Sequence, residues 1–227
     1  MTPRPVSHDP SCAARACPVC AAGAEPFIDV DAQRYFRCAA CAARFLDPAQ
    51  YPSRDDEHAH YLHHENEVDD PGYRRFLSKL ADPLLARLAP GSRGLDFGCG
   101  PGPALAAMLR EAGHAVATYD PFFAPDRAPL DATYDFVTCT ETAEHFHRPA
   151  VDFARLRALV RPGGLLAVMT CFQTDDARFA NWHYRKDPTH VVFYRAQTFR
   201  FLAARWGWSC AVPCKDVVLM QRPKGGA

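Results

Sequence analysis

The stretch that decides the fold is Gly-Leu-Asp-Phe-Gly-Cys-Gly-Pro-Gly at positions 94–102. A short apolar run ends in Asp96, and three glycines follow at alternate positions, where the backbone can turn sharply and approach a ligand closely. Residues 103–110, Pro-Ala-Leu-Ala-Ala-Met-Leu-Arg, then place apolar side chains at the spacing of a helix. The pattern predicts a strand, a glycine turn and a helix that together bind a small cofactor.

Two acidic residues limit which cofactor fits this turn. A dinucleotide site places pyrophosphate at the helix N-terminus and spaces its glycines G-x-G-x-x-G, whereas here Asp96 directly precedes the loop and position 103 is proline. A carboxylate at that place repels pyrophosphate and suits a cation, such as an α-ammonium group beside a sulfonium. Asp120 closes the next apolar run 24 residues later, the offset at which a βαβ unit places a carboxylate on ribose hydroxyls.

These residues resemble the first motif of the class I S-adenosylmethionine (SAM)-dependent methyltransferases, an acid followed by G-x-G-x-G. The resemblance implies SAM as cofactor and a Rossmann-like, doubly wound α/β sheet of seven strands with an antiparallel last strand. An unrelated glycine-rich turn and a nicotinamide dinucleotide site are the alternatives. The residues expected to contact SAM are Asp96, Gly98, Cys99, Gly100, Gly102, Asp120, Pro121, Thr140 and Glu141, with Tyr61, His64 and Asn66 from a segment that folds over SAM in many relatives.

The sequence after Asp120 continues the resemblance. No clear third strand follows, but residues 134–140 predict a buried strand, and the sequence Glu141-Thr-Ala-Glu144-His145 resembles the family's E-x-x-E-H segment beside the methyl donor. Arg-Pro-Gly-Gly at positions 161–164, before a further strand, is another mark of the family. Glu144 and His145 are therefore candidate catalytic residues, with helix capping and a core hydrogen bond as the alternative.

A segment rich in aromatic residues, 182–199, is the candidate acceptor site. Its Asp187-Pro-Thr-His190-Val-Val-Phe-Tyr194 core resembles a segment found in a subset of these methyltransferases, and its aromatic and basic side chains suit a flat or anionic small molecule. His190 is expected to take a proton from the acceptor, because imidazole has an unperturbed pKa of about 6.5. The alternative is a turn whose side chains brace one another.

Two C-x-x-C pairs precede this core, Cys17 with Cys20 and Cys38 with Cys41, and 17 residues separate the pairs. This spacing is typical of a zinc ribbon, in which four thiolates hold Zn²⁺ tetrahedrally, whereas a redox pair is the alternative. A unit of this size buries little core, so the metal is expected to supply its folding energy. The predicted organisation is a zinc-ribbon appendage at 1–48, a linker and helix at 49–90, and a SAM-binding methyltransferase domain at 91–227.

Composition limits the function further. The 227 residues carry 26 Lys plus Arg and 26 Asp plus Glu, so overall charge indicates neither a nucleic-acid nor a membrane partner. Without an apolar run of ~18 residues or a signal peptide, a cytoplasmic location is expected. The leading prediction is a SAM-dependent methyltransferase acting on a small molecule, with the methylated atom undetermined. The alternatives are an RNA methyltransferase guided by the ribbon and a non-catalytic, zinc-binding module with the same fold.

Overall fold

The computed structural model describes residues 15–63 and 67–225. Within these ranges the strands, in chain order, are β1 (Arg15–Ala16), β2 (Gly23–Val30), β3 (Gln33–Cys38), β4 (Arg44–Leu46), β5 (Arg93–Phe97), β6 (Ala115–Tyr119), β7 (Tyr134–Thr140), β8 (Val160–Met169), β9 (Val192–Phe193), β10 (Ser209–Cys214) and β11 (Val217–Gln221). The α-helices are α1 (Arg54–Tyr61), α2 (Pro71–Leu85), α3 (Ala104–Glu111), α4 (Pro149–Leu159) and α5 (Ala196–Trp206). No helix in the described ranges is long and apolar enough to cross a membrane.

The main sheet has the strand order β10-β11-β8-β7-β5-β6. Strands β6, β5, β7 and β8 are parallel, whereas β11 runs antiparallel to β8, so the predicted doubly wound sheet with an antiparallel last strand is confirmed. The described residues give this sheet six strands rather than seven. Between β6 and β7 the chain forms a 3₁₀ turn at Ala128–Asp131 instead. Pro121, Pro125 and Pro129 occupy this region, and proline cannot donate a hydrogen bond to a sheet ladder.

Two apolar layers enclose the main sheet. Helices α2 and α3 cover one face, which presents Phe136 from β7 and Leu165 from β8, and the neighbouring residues Val137 and Leu166 face the opposite layer. Helix α2 begins as its sequence predicts, because Asp70 accepts a hydrogen bond from the Tyr73 amide and proline occupies the first helical position. The layers leave the carboxyl ends of the parallel strands open at one edge, where such sheets bind ligands.

The second sheet has the order β1-β2-β3-β4-β9 and is antiparallel throughout. Its hairpin β2–β3 spans the segment between the two C-x-x-C pairs. Its fifth strand comes from the candidate acceptor segment, with Arg44 opposite Phe193 and Phe45 opposite Val192. Phe36 and Phe45 belong to the same buried cluster as Val137 of the main sheet. The ribbon is thus packed into the core of the chain, and the predicted domain boundaries remain a prediction from sequence.

Candidate active site

The glycine turn after β5 brings the backbone close to its neighbours. Gly98 and Gly100 have φ of +76° and +64°, the left-handed region that favours glycine. A Cβ atom at Gly98 would lie 2.2 Å from Cγ2 of Thr142, and the Gly98 amide donates to the Tyr119 carbonyl at 2.7 Å. The turn therefore connects the ends of β5, β6 and β7 and leaves its outer surface to a ligand.

Asp120 organises the next strand end. Its Oδ2 accepts the Gly100 amide at 3.0 Å, and its Oδ1 accepts the amides of Phe122 and Phe123 at 2.8 and 3.0 Å. The carboxylate is buried, yet it lines the cavity described below. Oδ2 accepts only one of these hydrogen bonds and retains acceptor capacity, so a ribose hydroxyl can donate to it.

Asp96 has different surroundings. It is buried and accepts a hydrogen bond from Thr138 Oγ1 at 2.7 Å, and it lies behind the cavity wall rather than in it. Burial raises the pKa of Asp96 to about 6, although the Thr138 hydrogen bond acts in the opposite direction. Gly102 is likewise outside the lining. The SAM contacts assigned to these two residues therefore remain predictions from sequence, and the structure gives Asp96 a supporting position beneath the turn.

One cavity of about 710 Å³ opens at the carboxyl edge of the main sheet. It brings together most of the residues that the sequence singled out, namely Tyr61, Gly98, Cys99, Gly100, Asp120, Pro121, Thr140, Glu141, Glu144, His145 and His190. His64 and Asn66 lie outside the described residues. The candidate cofactor and catalytic groups therefore share a single cleft.

Two glutamates follow β7. Glu141 has φ of +47°, a strained conformation of the kind that is concentrated at functional sites. Burial, together with the nearby Glu144 charge, raises the pKa of Glu141 to about 9. Glu144 is fully buried, which raises its pKa as well. The Tyr184 hydroxyl donates to Glu144 Oε1 and lies 3.2 Å from Glu141 Oε2, so it bridges the two carboxyl groups.

Two histidines adjoin Glu144. Nε2 of His145 lies 4.0 Å from Glu144 Oε1, and the rings of His145 and His190 are 4.7 Å apart between centroids. His190 is 9% exposed and packs on the Tyr184 ring at 4.1 Å. Glu144, His145 and His190 all line the cavity. They are called the acceptor-side cluster below, because His190 belongs to the predicted acceptor segment.

Much of the candidate acceptor segment contacts the ribbon rather than the cavity. Of its side chains, only His190 lines the cavity. Arg185 is buried and points to the ribbon, where it donates to Asp31 Oδ2 at 2.9 Å and to the Tyr35 hydroxyl at 3.3 Å. Arg185 thus pairs with the ribbon and does not line the cavity, and the expectation that this segment holds an anionic acceptor stays a prediction. The alternative turn does form, with Asp187 accepting from the amide and hydroxyl of Thr189.

Helix α1 closes the cavity, although the sequence indicated only a polar linker there. Arg54, Glu57 and Tyr61 of this helix line the cavity, and the Arg54 guanidinium stacks over the Phe122 ring at 5.1 Å. A sequence signal was present, because Ser53 caps the helix by accepting from the Asp56 amide and acidic residues fill its first turn. Tyr184 lies in the predicted acceptor segment, but its contact with Glu144 was not predicted, since nothing in its local spacing links the two residues.

The four cysteines of the ribbon come together away from this cavity. All four are buried, and their sulfurs lie within 4.8 Å of one another, with Cys17 to Cys41 at 3.6 Å and Cys20 to Cys38 at 3.5 Å. Tetrahedral Zn–S bonds of about 2.3 Å place sulfurs roughly 3.8 Å apart, so the arrangement fits a zinc ion.

Comparison with known proteins agrees with this architecture. A family model described as a methyltransferase domain matches residues 69–211, more than half of the chain. The chain belongs to the methyltransferase-domain family. It is accordingly an enzyme, a methyltransferase, with a class I methyltransferase-like α/β fold.

Solved structures similar to this methyltransferase include two proteins from Burkholderia thailandensis. An O-methyltransferase family protein shares 15% identity at a TM-score of 0.47, with 75% of this chain and 64% of that chain covered. A 1,6-didemethyltoxoflavin-N1-methyltransferase shares 18% identity at a TM-score of 0.48, with 88% and 99% covered. Curated proteins gave no match. Likenesses of this level do not identify the acceptor of the present enzyme.

Proposed function

We propose that this enzyme transfers the methyl group of SAM to a small-molecule acceptor inside the cavity. The observation that carries the proposal is that one cleft joins the glycine turn and Asp120 to the acceptor-side cluster. Its volume of about 710 Å³ lies within the range of roughly 300–1,000 Å³ that is typical of small-molecule sites. The space therefore suits a cofactor together with a compact acceptor.

The residues divide the work between the two ends of the cavity. Asp120 is placed to accept a ribose hydroxyl, and Glu141 lines the same cavity. Methyl transfer from a sulfonium is an in-line displacement, so positioning is the protein's main contribution. The acceptor's proton, where it must be removed, leaves at the acceptor-side cluster, with His190 as the proposed base and His145 and Glu144 beside it.

The ribbon arginines favour a small molecule over RNA. Each arginine in the described part of the ribbon is paired with a carboxylate: Arg15 with Asp47, Arg34 with Asp29, Arg37 with Glu25 and Arg44 with Asp176. RNA affinity depends on cations that neutralise phosphates, and these cations are already engaged. The enclosing helix α1 also restricts the cavity to compact acceptors. RNA methylation is therefore the less favoured alternative, and the labelling experiment below tests it.

The four-cysteine cluster is proposed to hold one structural Zn²⁺ through Cys17, Cys20, Cys38 and Cys41. Four buried sulfurs at tetrahedral spacing support this role, and a complete set of protein ligands leaves no open position for catalysis. A cytoplasmic location for the enzyme stays a prediction.

The decisive experiment is calorimetric titration of SAM into the purified chain and the Asp120→Ala variant. Losing a charge-assisted hydrogen bond costs roughly 1.5–3 kcal/mol, so the affinity is expected to fall about ten- to a hundredfold. Asp131→Ala, which removes an exposed carboxylate outside the cavity, is the matched control. Equal SAM affinity in a folded Asp120→Ala protein would disprove the ribose contact.

The acceptor class is tested separately. Methyl-labelled SAM incubated with the enzyme and either a metabolite extract or total RNA should label small molecules. Label in RNA that falls steeply with salt would favour the RNA alternative, and SAM binding with no transfer to either pool would favour the non-catalytic module.

A further inference from the structure

The acceptor-side cluster has the composition of a metal site. Glu144, His145 and His190 each present one ligand atom, and these atoms lie within 4.8 Å of one another. Metal bonds of about 2.0–2.2 Å hold such atoms roughly 3–3.5 Å apart. Small side-chain rotations would bring the three ligand atoms to that spacing. Glu144 and His190 are both buried.

Both imidazoles are oriented by backbone carbonyls. Nδ1 of His145 lies 3.1 Å from the Thr189 carbonyl oxygen, and Nδ1 of His190 lies 2.7 Å from that of Tyr184. A carbonyl oxygen only accepts, so each Nδ1 donates its hydrogen, and the lone pair of the neutral ring resides on Nε2. A histidine that ligates a metal almost always has this arrangement, with its other ring nitrogen bonded to a carbonyl or carboxylate.

The carboxylate is the third observation. Glu144 is fully buried, and its Oε1 accepts from Tyr184, whereas its Oε2 has no hydrogen-bond partner among the described residues. Buried polar atoms in folded proteins are nearly always satisfied, and the other oxygen of this carboxyl group lies 4.0 Å from Nε2 of His145, so the unpaired oxygen indicates a missing positive partner. A cation bound between the three residues would take one lone pair from Glu144 and one from each Nε2 atom.

We propose that Glu144, His145 and His190 bind a divalent first-row transition metal ion. Two imidazoles and one carboxylate suit Mn²⁺, Fe²⁺, Co²⁺ or Zn²⁺, whereas Mg²⁺ prefers oxygen ligands alone. This set leaves coordination positions open to the cavity. The ion is distinct from the structural zinc, whose four thiolates complete its coordination.

The metal site rests on the proposed methyl transfer and narrows its acceptor to a hydroxyl compound. The hydroxyl oxygen binds the ion, which lowers the pKa of the O–H group, and the proton passes to solvent. The oxygen then forms a bond with the methyl carbon. The C–S bond breaks, and its electron pair stays on sulfur, giving S-adenosylhomocysteine. His190 acts here as a metal ligand instead of the base.

The test is a Mn²⁺ titration of the full-length protein loaded with one zinc per chain, followed by electron paramagnetic resonance of free Mn²⁺. One Mn²⁺ is expected to bind per chain. His145→Ala, His190→Ala and Glu144→Gln are each expected to weaken its binding at least tenfold, because each removes one ligand. His183→Ala, an exposed histidine outside the cavity, should bind as the wild type does.

Two further measurements keep the result unambiguous. Circular dichroism shows which variants fold. If an alanine variant does not fold, Mn²⁺ binding is compared between the wild type and the isosteric Glu144→Gln variant. SAM calorimetry on the same samples reports the methyltransferase proposal independently, since Mn²⁺ binding requires no acceptor. Absence of bound Mn²⁺ in the wild type, or equal Mn²⁺ affinity in all folded variants, would overturn the metal site even where SAM binds.

Discussion

The four-cysteine cluster and the acceptor-side cluster are both suited to a metal, but they are assembled in opposite ways. The cysteines come from two turns of one small hairpin, whereas Glu144 and His145 follow β7 and His190 lies in a turn 45 residues later. Glu144 occupies the wall of a large core, and the Val191 amide donates to its carbonyl at 2.9 Å.

The two proposed metals therefore differ in role: the zinc stabilises the fold of the ribbon, whereas the second ion binds to residues that the fold already holds in place. At the proposed zinc site the free energy of metal binding contributes to folding, because the four ligands come together only in the folded chain. The acceptor-side cluster is held by backbone hydrogen bonds to His145 and His190 and by the Tyr184 hydroxyl. Metal removal is therefore expected to destabilise the first region and to leave the second folded.

The largest expected effect follows from Cys38→Ser. Structural zinc contributes apparent binding free energies of ~10–16 kcal/mol, which exceeds the net stability of many domains, so a weakened zinc site should unfold the ribbon. Because β4 pairs with β9, the loss should also reach the turn that carries His190. Metal analysis, thermal unfolding and hydrogen exchange of residues 187–193 measure the three consequences.

Cys210→Ser is the matched control for this prediction, since Cys210 is a half-buried cysteine outside the cluster. It should retain one zinc and the wild-type unfolding temperature. A Cys38→Ser protein with full zinc and an intact ribbon would show that the cluster does not depend on metal, and the contrast between the two regions would fail.

A smaller effect is expected from Tyr184→Phe, which removes the hydroxyl that bridges Glu144 and Glu141. Groups that orient a metal ligand typically contribute 10–100-fold in metal affinity, so Mn²⁺ binding should weaken by that factor, with little change in SAM affinity. Tyr134→Phe is the control, because its hydroxyl donates to the Pro129 carbonyl and Tyr134 does not line the cavity. Equal loss of SAM affinity and Mn²⁺ affinity would indicate general disruption of the core instead.

The same contrast explains what the sequence could predict. The C-x-x-C pairs and the glycine turn are local patterns, so their spacing alone predicted four clustered sulfurs and the strand–turn–helix unit. Tyr184 meets Glu144 across 40 residues, and β9 joins a sheet whose other strands lie within residues 15–46. Such contacts follow from packing of the whole chain rather than from spacing. Helix α1 is intermediate, since its capping residues were visible but its polar composition resembles a linker.

The smallest effect concerns the contact between the two regions. Asp176 Oδ2 accepts from Nη2 of the buried Arg44 at 2.8 Å, and its Oδ1 accepts from Arg195 at 2.6 Å. Burial acts to raise the pKa of Asp176, but the two guanidinium groups outweigh it and hold that pKa below its usual value. Asp176→Asn should lower the free energy of unfolding at pH 7 by about 1 kcal/mol, because the site is partly open to solvent.

The sign of the pH dependence follows from that lowered pKa. A carboxyl whose folded-state pKa is depressed contributes stability above its unfolded value of about 3.9, and loses it as the pH falls through the folded value. The difference between wild type and Asp176→Asn in urea unfolding should thus be constant from pH 7 to about 5 and shrink below about 4. Bound zinc is measured at each pH, because loss of zinc in acid would abolish the difference in unfolding free energy at a higher pH than the Asp176 titration does. Asp29→Asn, which breaks only an exposed ion pair with Arg34, should cost less at every pH, and an equal cost would show that the Asp176 contact does not join the ribbon to the catalytic core.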